Sequence, residues 1–179
     1  MRWLLLAALT VAIYGCANPL NRVTSDRYFA QCAAAERAGD LRYAEQLCYR
    51  SLVNVDWGNL GPELKSKRLY NLAQIKRRLS KFNEAEDLLR ASLKLEEGIS
   101  GPTSVPVGRR LAELSINLAS LDRWAEGIPF VERILPIAES YSGGERSFLS
   151  ILLRQYAERA RAMGNSELAT AFEAKANAL

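Results

Sequence analysis

Histidine is absent from this 179-residue chain. That removes the commonest general base and the commonest metal ligand together. Cysteine is scarce at three residues, and neither a glycine-rich phosphate loop nor a metal-spaced ligand set is present. Catalysis would have to rest on carboxylates. The obvious pair, Glu96 and Glu97, lies next to a helix end and reads as solvated surface, so no catalytic residue, metal or cofactor is expected. Charge of one sign is also in short supply: the formal net charge is only +4, with no basic stripe of the kind nucleic acid requires. Long apolar runs are missing as well. The longest, residues 3–13, would make a helix of roughly 16 Å, against a hydrocarbon core of ~30 Å. What is there is ordinary globular material, 49% hydrophobic and 25% charged, enough for one continuous core and too apolar for disorder.

The amino terminus has its own organisation. Arg2 supplies the early positive charge, residues 3–13 are apolar apart from Thr10, and small residues follow, which is the layout of a secretory signal. The stretch ends Ile13-Tyr14-Gly15-Cys16, which resembles the bacterial lipoprotein box. The resemblance implies cleavage after Gly15 and a diacylglycerol on the Cys16 thiol. Tyr14 stands where a small residue is usual, and an ordinary secretory signal is the alternative. Ala17 is not the aspartate that retains such proteins at the inner membrane in enteric bacteria. The implied location is therefore the outer membrane, facing the periplasm. Several acyl chains on one cysteine hold firmly, at about 0.8 kcal/mol per buried methylene. Residues 1–15 read as the leader, 16–24 as a lipidated tether and 25–179 as the folded domain; losing Arg2 lowers the formal charge from +4 to +3.

Within the domain a unit recurs. Ala44, Ala85, Gly127 and Ala169 each follow a chain break and open an apolar row, at spacings of 41, 42 and 42 residues. Upstream of each break a segment has helical period: Leu69, Leu72, Ala73 and Leu79 in the second unit, Leu111, Leu114, Ser115 and Leu118 in the third, Leu153, Tyr156, Ala157 and Ala160 in the fourth. Each unit reads as helix, tight turn, helix. Glycine and proline cluster in two longer connections, at 56–62 and 98–108. Pro129 is expected near the start of its helix, where a missing N–H costs nothing, and Pro136, deeper in, is expected to kink or end it.

The array resembles the tetratricopeptide repeat, in the extended form found in kinesin light chains. The small residues Cys32, Ala73, Ser115 and Ala157 stand where the two helices of a hairpin approach most closely. The resemblance covers 25–179 and implies an all-α, right-handed superhelical solenoid of about four hairpins, its concave wall lined by the first helix of each. On that geometry the groove presents Phe29, Arg37, Lys67, Tyr70, Asn71, Gln74, Arg77, Arg78, Arg109, Arg154 and Arg161, a basic lining suited to an extended peptide and its carboxylates.

Cys32 lies eight residues before Asp40 and Cys48 eight after, so an antiparallel hairpin brings them to one height. In an oxidising compartment they are expected to form a disulfide; otherwise they are small core residues. The last helix, residues 167–179, is alanine-rich with Phe172 and Leu179, which suggests packing against a second copy. The expected function is a non-catalytic scaffold or adaptor for a protein or peptide of the cell envelope, in secretion, pilus or envelope assembly. A periplasmic holdase-like chaperone and a carboxylate-based cell-wall hydrolase are the alternatives.

Overall fold

A computed structural model describes residues 18–179, so the leader and Cys16 lie outside the described residues. Among these the chain folds as α1 (Pro19–Arg37), α2 (Leu41–Trp57), α3 (Pro62–Arg78), α4 (Phe82–Ser100), α5 (Val105–Ser120), α6 (Trp124–Ile134), a 3-10 turn (Ala138–Ser140), α7 (Gly143–Ala162) and α8 (Ser166–Ala178). Helices pack in consecutive antiparallel pairs: α1 with α2, α3 with α4, α5 with α6, α7 with α8. Each pair leans on the next, the arrangement of a repeat solenoid.

The hairpin turns follow one design. Each places a single residue in the left-handed region: Gly39 (φ +81°), Ser80 (+59°), Asp122 (+57°) and Gly164 (+82°). The next residue then donates its N–H back five positions: Asp40 to the carbonyl of Ala35, Lys81 to Lys76, Arg123 to Leu118 and Asn165 to Ala160, at 2.9–3.0 Å. These bonds satisfy carbonyls that a helix end leaves without partners. Asp40 and Asn165 go on to cap the following helix, accepting from the backbone N–H of Tyr43 at 3.0 Å and of Leu168 at 3.1 Å.

Between the paired helices the small residues close the gap. Cys32, Ala73, Ser115 and Ala157 are fully buried, as are Ala44, Ala85 and Ala169 opposite them. Cys32 and Cys48 form a disulfide with Cα atoms 5.3 Å apart. Gly127 breaks the alanine column for a steric reason. The Tyr156 hydroxyl reaches across from α7 to donate to the Ser115 carbonyl at 2.7 Å, and a Cβ on Gly127 would lie 1.9 Å from it.

A second register seals the other end of three of the hairpins. Ser25 and Ser51 bond through hydroxyls and carbonyls at 2.8–3.0 Å. Ser66 and Ser92 repeat that arrangement, and the Ser150 hydroxyl donates to the carbonyl of Ala176 at 2.8 Å. All three pairs are buried or nearly so and 26 residues apart.

Four expectations need correction. Residues 19–24, read as tether, already belong to α1, because Asn18 caps the helix and Pro19 occupies its first position. The connection at 98–108 shrinks to 101–104, since α4 runs on through Gly98 to Ser100. Pro129 is the sixth residue of α6, beyond the first turn, so it leaves the Ala125 carbonyl without its helical donor. α6 does end just before Pro136. Finally, Phe172 is fully buried against the core and the outer face of α8 carries Glu167, Thr170, Ala171, Ala174 and Asn177. The aromatic residue that suggested a dimer face is therefore a core residue.

Candidate functional site

The first helices of the four hairpins share one side of the stack, where α3 touches α5 and α5 touches α7. A cavity of about 310 Å³ opens between these three helices. α3 contributes Tyr70 and Gln74; α5 contributes Arg109, Ala112 and Glu113. The far wall is Tyr141, at the end of the 3-10 turn, with Gly144, Glu145, Phe148 and Leu149 of α7. Phe148 is 45% exposed, and one turn on, Ile151 is more exposed still, so an apolar strip runs out of the cavity along α7.

Its polar groups are unevenly satisfied. Arg109 makes a two-pronged contact with Glu145, at 2.6 and 2.9 Å, which holds that carboxyl below the usual range. Gln74 donates to Glu113 Oε1 at 3.4 Å. Arg77 Nη2 lies 3.0 Å from Glu113 Oε2 but off the hydrogen-bonding direction, so this buried oxygen has no donor. Tyr141 is only 6% exposed, and its hydroxyl has no partner at all. Only glycine at 108 leaves room for that hydroxyl, since a Cβ there would meet it at 2.2 Å. Burial, opposed by the charge of Arg109, pushes the Tyr141 hydroxyl up to about 12. Burial and the charge of Glu113 raise Tyr70 as well. Both phenols therefore stay protonated at neutral pH.

The residues expected to line a basic groove are mostly committed elsewhere. Arg78 pairs with Glu36 at 2.6 Å, Arg77 with Glu113, Arg109 with Glu145 and Arg161 with Glu173 at 2.8 Å. Asn71 spends its amide on the Lys67 carbonyl at 2.7 Å, in its own helix. Phe29 lies beneath Arg68, whose guanidinium carbon is 3.9 Å from the ring centre. Arg37, Lys67 and Arg154 are exposed. Of the eleven named residues only Tyr70, Gln74 and Arg109 meet in the cavity. The groove is thus a surface of paired charges surrounding an apolar hollow.

Sequence reasoning missed Glu113's partner set, Tyr141, Glu145, Phe148 and Leu149, because they come together only through stacking of separate hairpins. It also misread Glu96, which is 7% exposed. Its carboxylate accepts from Ser66 at 2.8 Å and Ser100 at 2.7 Å and pairs with Arg110 at 2.8 Å. Arg110 and Arg68 stand 42 residues apart, and each reaches back to the preceding hairpin: Arg110 to Ser66 and Ser92, Arg68 to Ser25 and Asp26. That recurrence was a signal available in the sequence. Glu97 is half-buried and pairs with Arg133.

No family model matches this chain, and no curated protein does. Solved structures do. BtubC (BKLC) from P. vanneervenii superposes with a TM-score of 0.76 at 21% identity, over 88% of this chain and 63% of that one. A Podosopora anserina protein of kinesin light chain type, with nearly identical TPR-like repeats, superposes at 0.67 and 15% identity, over 86% and 74%. The chain therefore spans less than two thirds of the length of the first of these. Likeness at such identity establishes the fold: this is a TPR-like helical repeat protein.

Proposed function

We propose that the protein is a non-catalytic scaffold, held by a lipid on Cys16 at the periplasmic face of a bacterial outer membrane, that binds a segment of an envelope protein on the face of α1, α3, α5 and α7. The observation that carries the reading is the cavity of about 310 Å³ on that face, walled in part by Tyr70, Ala112, Phe148 and Leu149. TPR-like arrays are in general protein-interaction modules, which supports the same reading. Among the described residues no helix is long and apolar enough to cross a membrane. Leu20, Val23 and Trp57 are strongly exposed, Trp57 at 80%, at the end of the first hairpin where the Asn18 N–H meets the Gly58 carbonyl. An amphipathic indole at that end suits a position near a membrane surface.

In-cell crosslinking with mass spectrometry tests the binding half, comparing wild type with Lys67→Glu/Arg154→Glu. Both residues are exposed on first helices, and this pair of changes leaves the ion pairs of the groove in place. One envelope protein captured by the wild type and lost in the variant supports the scaffold; an identical set from both refutes it. Metabolic palmitate labelling tests the other half. Label on the wild type and none on Cys16→Ser is expected, and an unlabelled wild type removes the anchor.

A further inference from the structure

The two ends of the repeat array are finished differently. At the far end the outer face of α8 is polar or small, as the closing face of a solenoid should be. At the near end the outer face of the α1–α2 hairpin is aromatic and cationic. Tyr28 of α1 is flanked there by two guanidinium groups: Arg27 lies 5.7 Å from the ring centre and Arg50, from α2, lies 5.8 Å from it. Tyr43 and Trp57 stand seven residues either side of Arg50, on one stripe of α2, and both are exposed. Leu20, seven residues before Arg27, is exposed on the matching stripe of α1.

The acids of this hairpin point the other way. Asp26 pairs with Arg68, Glu36 with Arg78, Glu45 with Lys76 and Lys81, and Asp56 with Lys65, all across the seam to the second hairpin. Asp40 is spent on the Tyr43 N–H, capping α2. Arg27 and Arg50 have no carboxylate partner among the described residues. Charge is thus segregated across one hairpin, negative towards its neighbour and positive outward.

We propose that this outer face rests on the surface of a bilayer containing anionic phospholipid, with Trp57 and Leu20 in the headgroup region and Arg27 and Arg50 on lipid phosphates. Three arguments choose that occupant. The Asn18 N–H meets the Gly58 carbonyl at 2.9 Å, beside Trp57, and Cys16 lies two residues before Asn18, a reach of at most about 7 Å. A lipid on Cys16 therefore brings this end of the hairpin to the membrane surface. Tryptophan and tyrosine favour that interface, and each arginine near an anionic surface adds attraction. A second copy laid symmetrically on the face would instead set Arg27 and Arg50 against their own equivalents. The proposal rests on the Cys16 anchor for its membrane and adds which face of the fold meets it. Seated so, the array projects from the bilayer and leaves the hollow among α3, α5 and α7 open to a partner.

The test is fluorescence quenching of the protein purified from membranes, in vesicles of phosphatidylethanolamine and phosphatidylglycerol with some chains brominated near the headgroup. Trp57 and Trp124 are the tryptophans beyond the leader, so Trp124→Phe reports Trp57 and Trp57→Phe reports Trp124, in the third hairpin. Quenching of Trp57 is expected to exceed that of Trp124 by at least about threefold. In the Trp124→Phe chain, Arg27→Gln/Arg50→Gln should lower the docked-to-free ratio by at least about tenfold. Its melting temperature should not change, since neither arginine has an ion pair to lose. Equal quenching of the two tryptophans, or undiminished quenching of Trp57 in the arginine variant, overturns the proposal. The two readings fail separately. A palmitate-labelled protein whose Trp57 is no more quenched than Trp124 sinks the face alone; an unlabelled protein whose Trp57 is quenched by added vesicles sinks the anchor alone.

Discussion

Arg110→Met should be among the most damaging substitutions in this protein, although Arg110 lies in no turn and no cap. Its side chain is 5% exposed and binds on every side. Nε donates to the Ser92 hydroxyl at 2.8 Å, Nη1 to the Pro106 carbonyl at 2.8 Å and Nη2 to the Ser66 hydroxyl at 2.9 Å, while Nη2 also pairs with the Glu96 carboxylate at 2.8 Å. The guanidinium also rests on Tyr70, 5.0 Å from the ring centre. Methionine keeps much of the volume and removes the charge, leaving Glu96 buried with two hydroxyl donors and no counter-ion. Breaking a buried ion pair from one side costs about 3–5 kcal/mol. For a domain of this size each kcal/mol moves the melting temperature by roughly 2–4 °C, so a fall on the order of 10 °C is expected.

Acid sharpens the test. Burial opposes ionisation of Glu96, yet hydrogen bonds from Ser100 and Ser66 and the charge of Arg110 outweigh it and hold the carboxyl below 4.5. A folded-state value below the unfolded one means stability present above about pH 4.5 and lost as pH falls through the folded value. Urea melts at pH 7 and pH 3.5 should therefore show a loss in the wild type that shrinks in Arg110→Met, where the depressing charge is gone. The double variant Arg110→Met/Glu96→Gln should recover most of the stability lost at pH 7. A single-variant cost under about 1 kcal/mol, or no recovery in the double variant, would show that the pair does not hold the second and third hairpins together.

Three further expectations concern the hairpins themselves. Replacing Cys48 by alanine, or reducing the wild type, should cost about 3 kcal/mol in the loop-closure picture, given a separation of 16 residues, and reductant should then have no further effect on the variant. Gly127→Ala should destabilise by about 1–3 kcal/mol because its new methyl meets the Tyr156 hydroxyl, and Tyr156→Phe in the same chain should relieve part of that, as thermal melts will show. Ser80→Gly should stabilise by about 0.5 kcal/mol in urea melts, since a serine at φ +59° carries a left-handed penalty that glycine does not.

The hairpins were legible in the sequence because their determinants are local and recur. A small residue every 41 or 42 positions marks closest approach, and the turn residues Gly39, Ser80, Asp122 and Gly164 recur at the same spacing. The Cys32–Cys48 pairing follows from symmetry about one such turn. The tether, the course of α4 past Gly98 and the depth of Pro129 were not legible. Each depends on where a cap falls, and Asn18, Gly101 and Arg123 are identified as caps only by the backbone around them.

The groove's electrostatics failed for a different reason, which lies in the stacking. Read one helix at a time, Arg77 and Arg109 are free cations on a polar face. In the stack each meets an acid 36 residues further on, Glu113 and Glu145. Glu45 with Lys81, Glu97 with Arg133 and Glu139 with Lys175 share that separation. Equivalent helices of successive hairpins lie side by side, so a residue one repeat ahead is level with its counterpart. A partner five or six positions short of a full repeat sits about a turn and a half nearer the helix start, within reach of a long side chain crossing the seam. These charges, on first and second helices alike, thus do for neighbouring hairpins what the small residues do within one. What the paired charges leave open to a partner is the hollow they surround, bounded by Tyr70, Phe148 and Leu149.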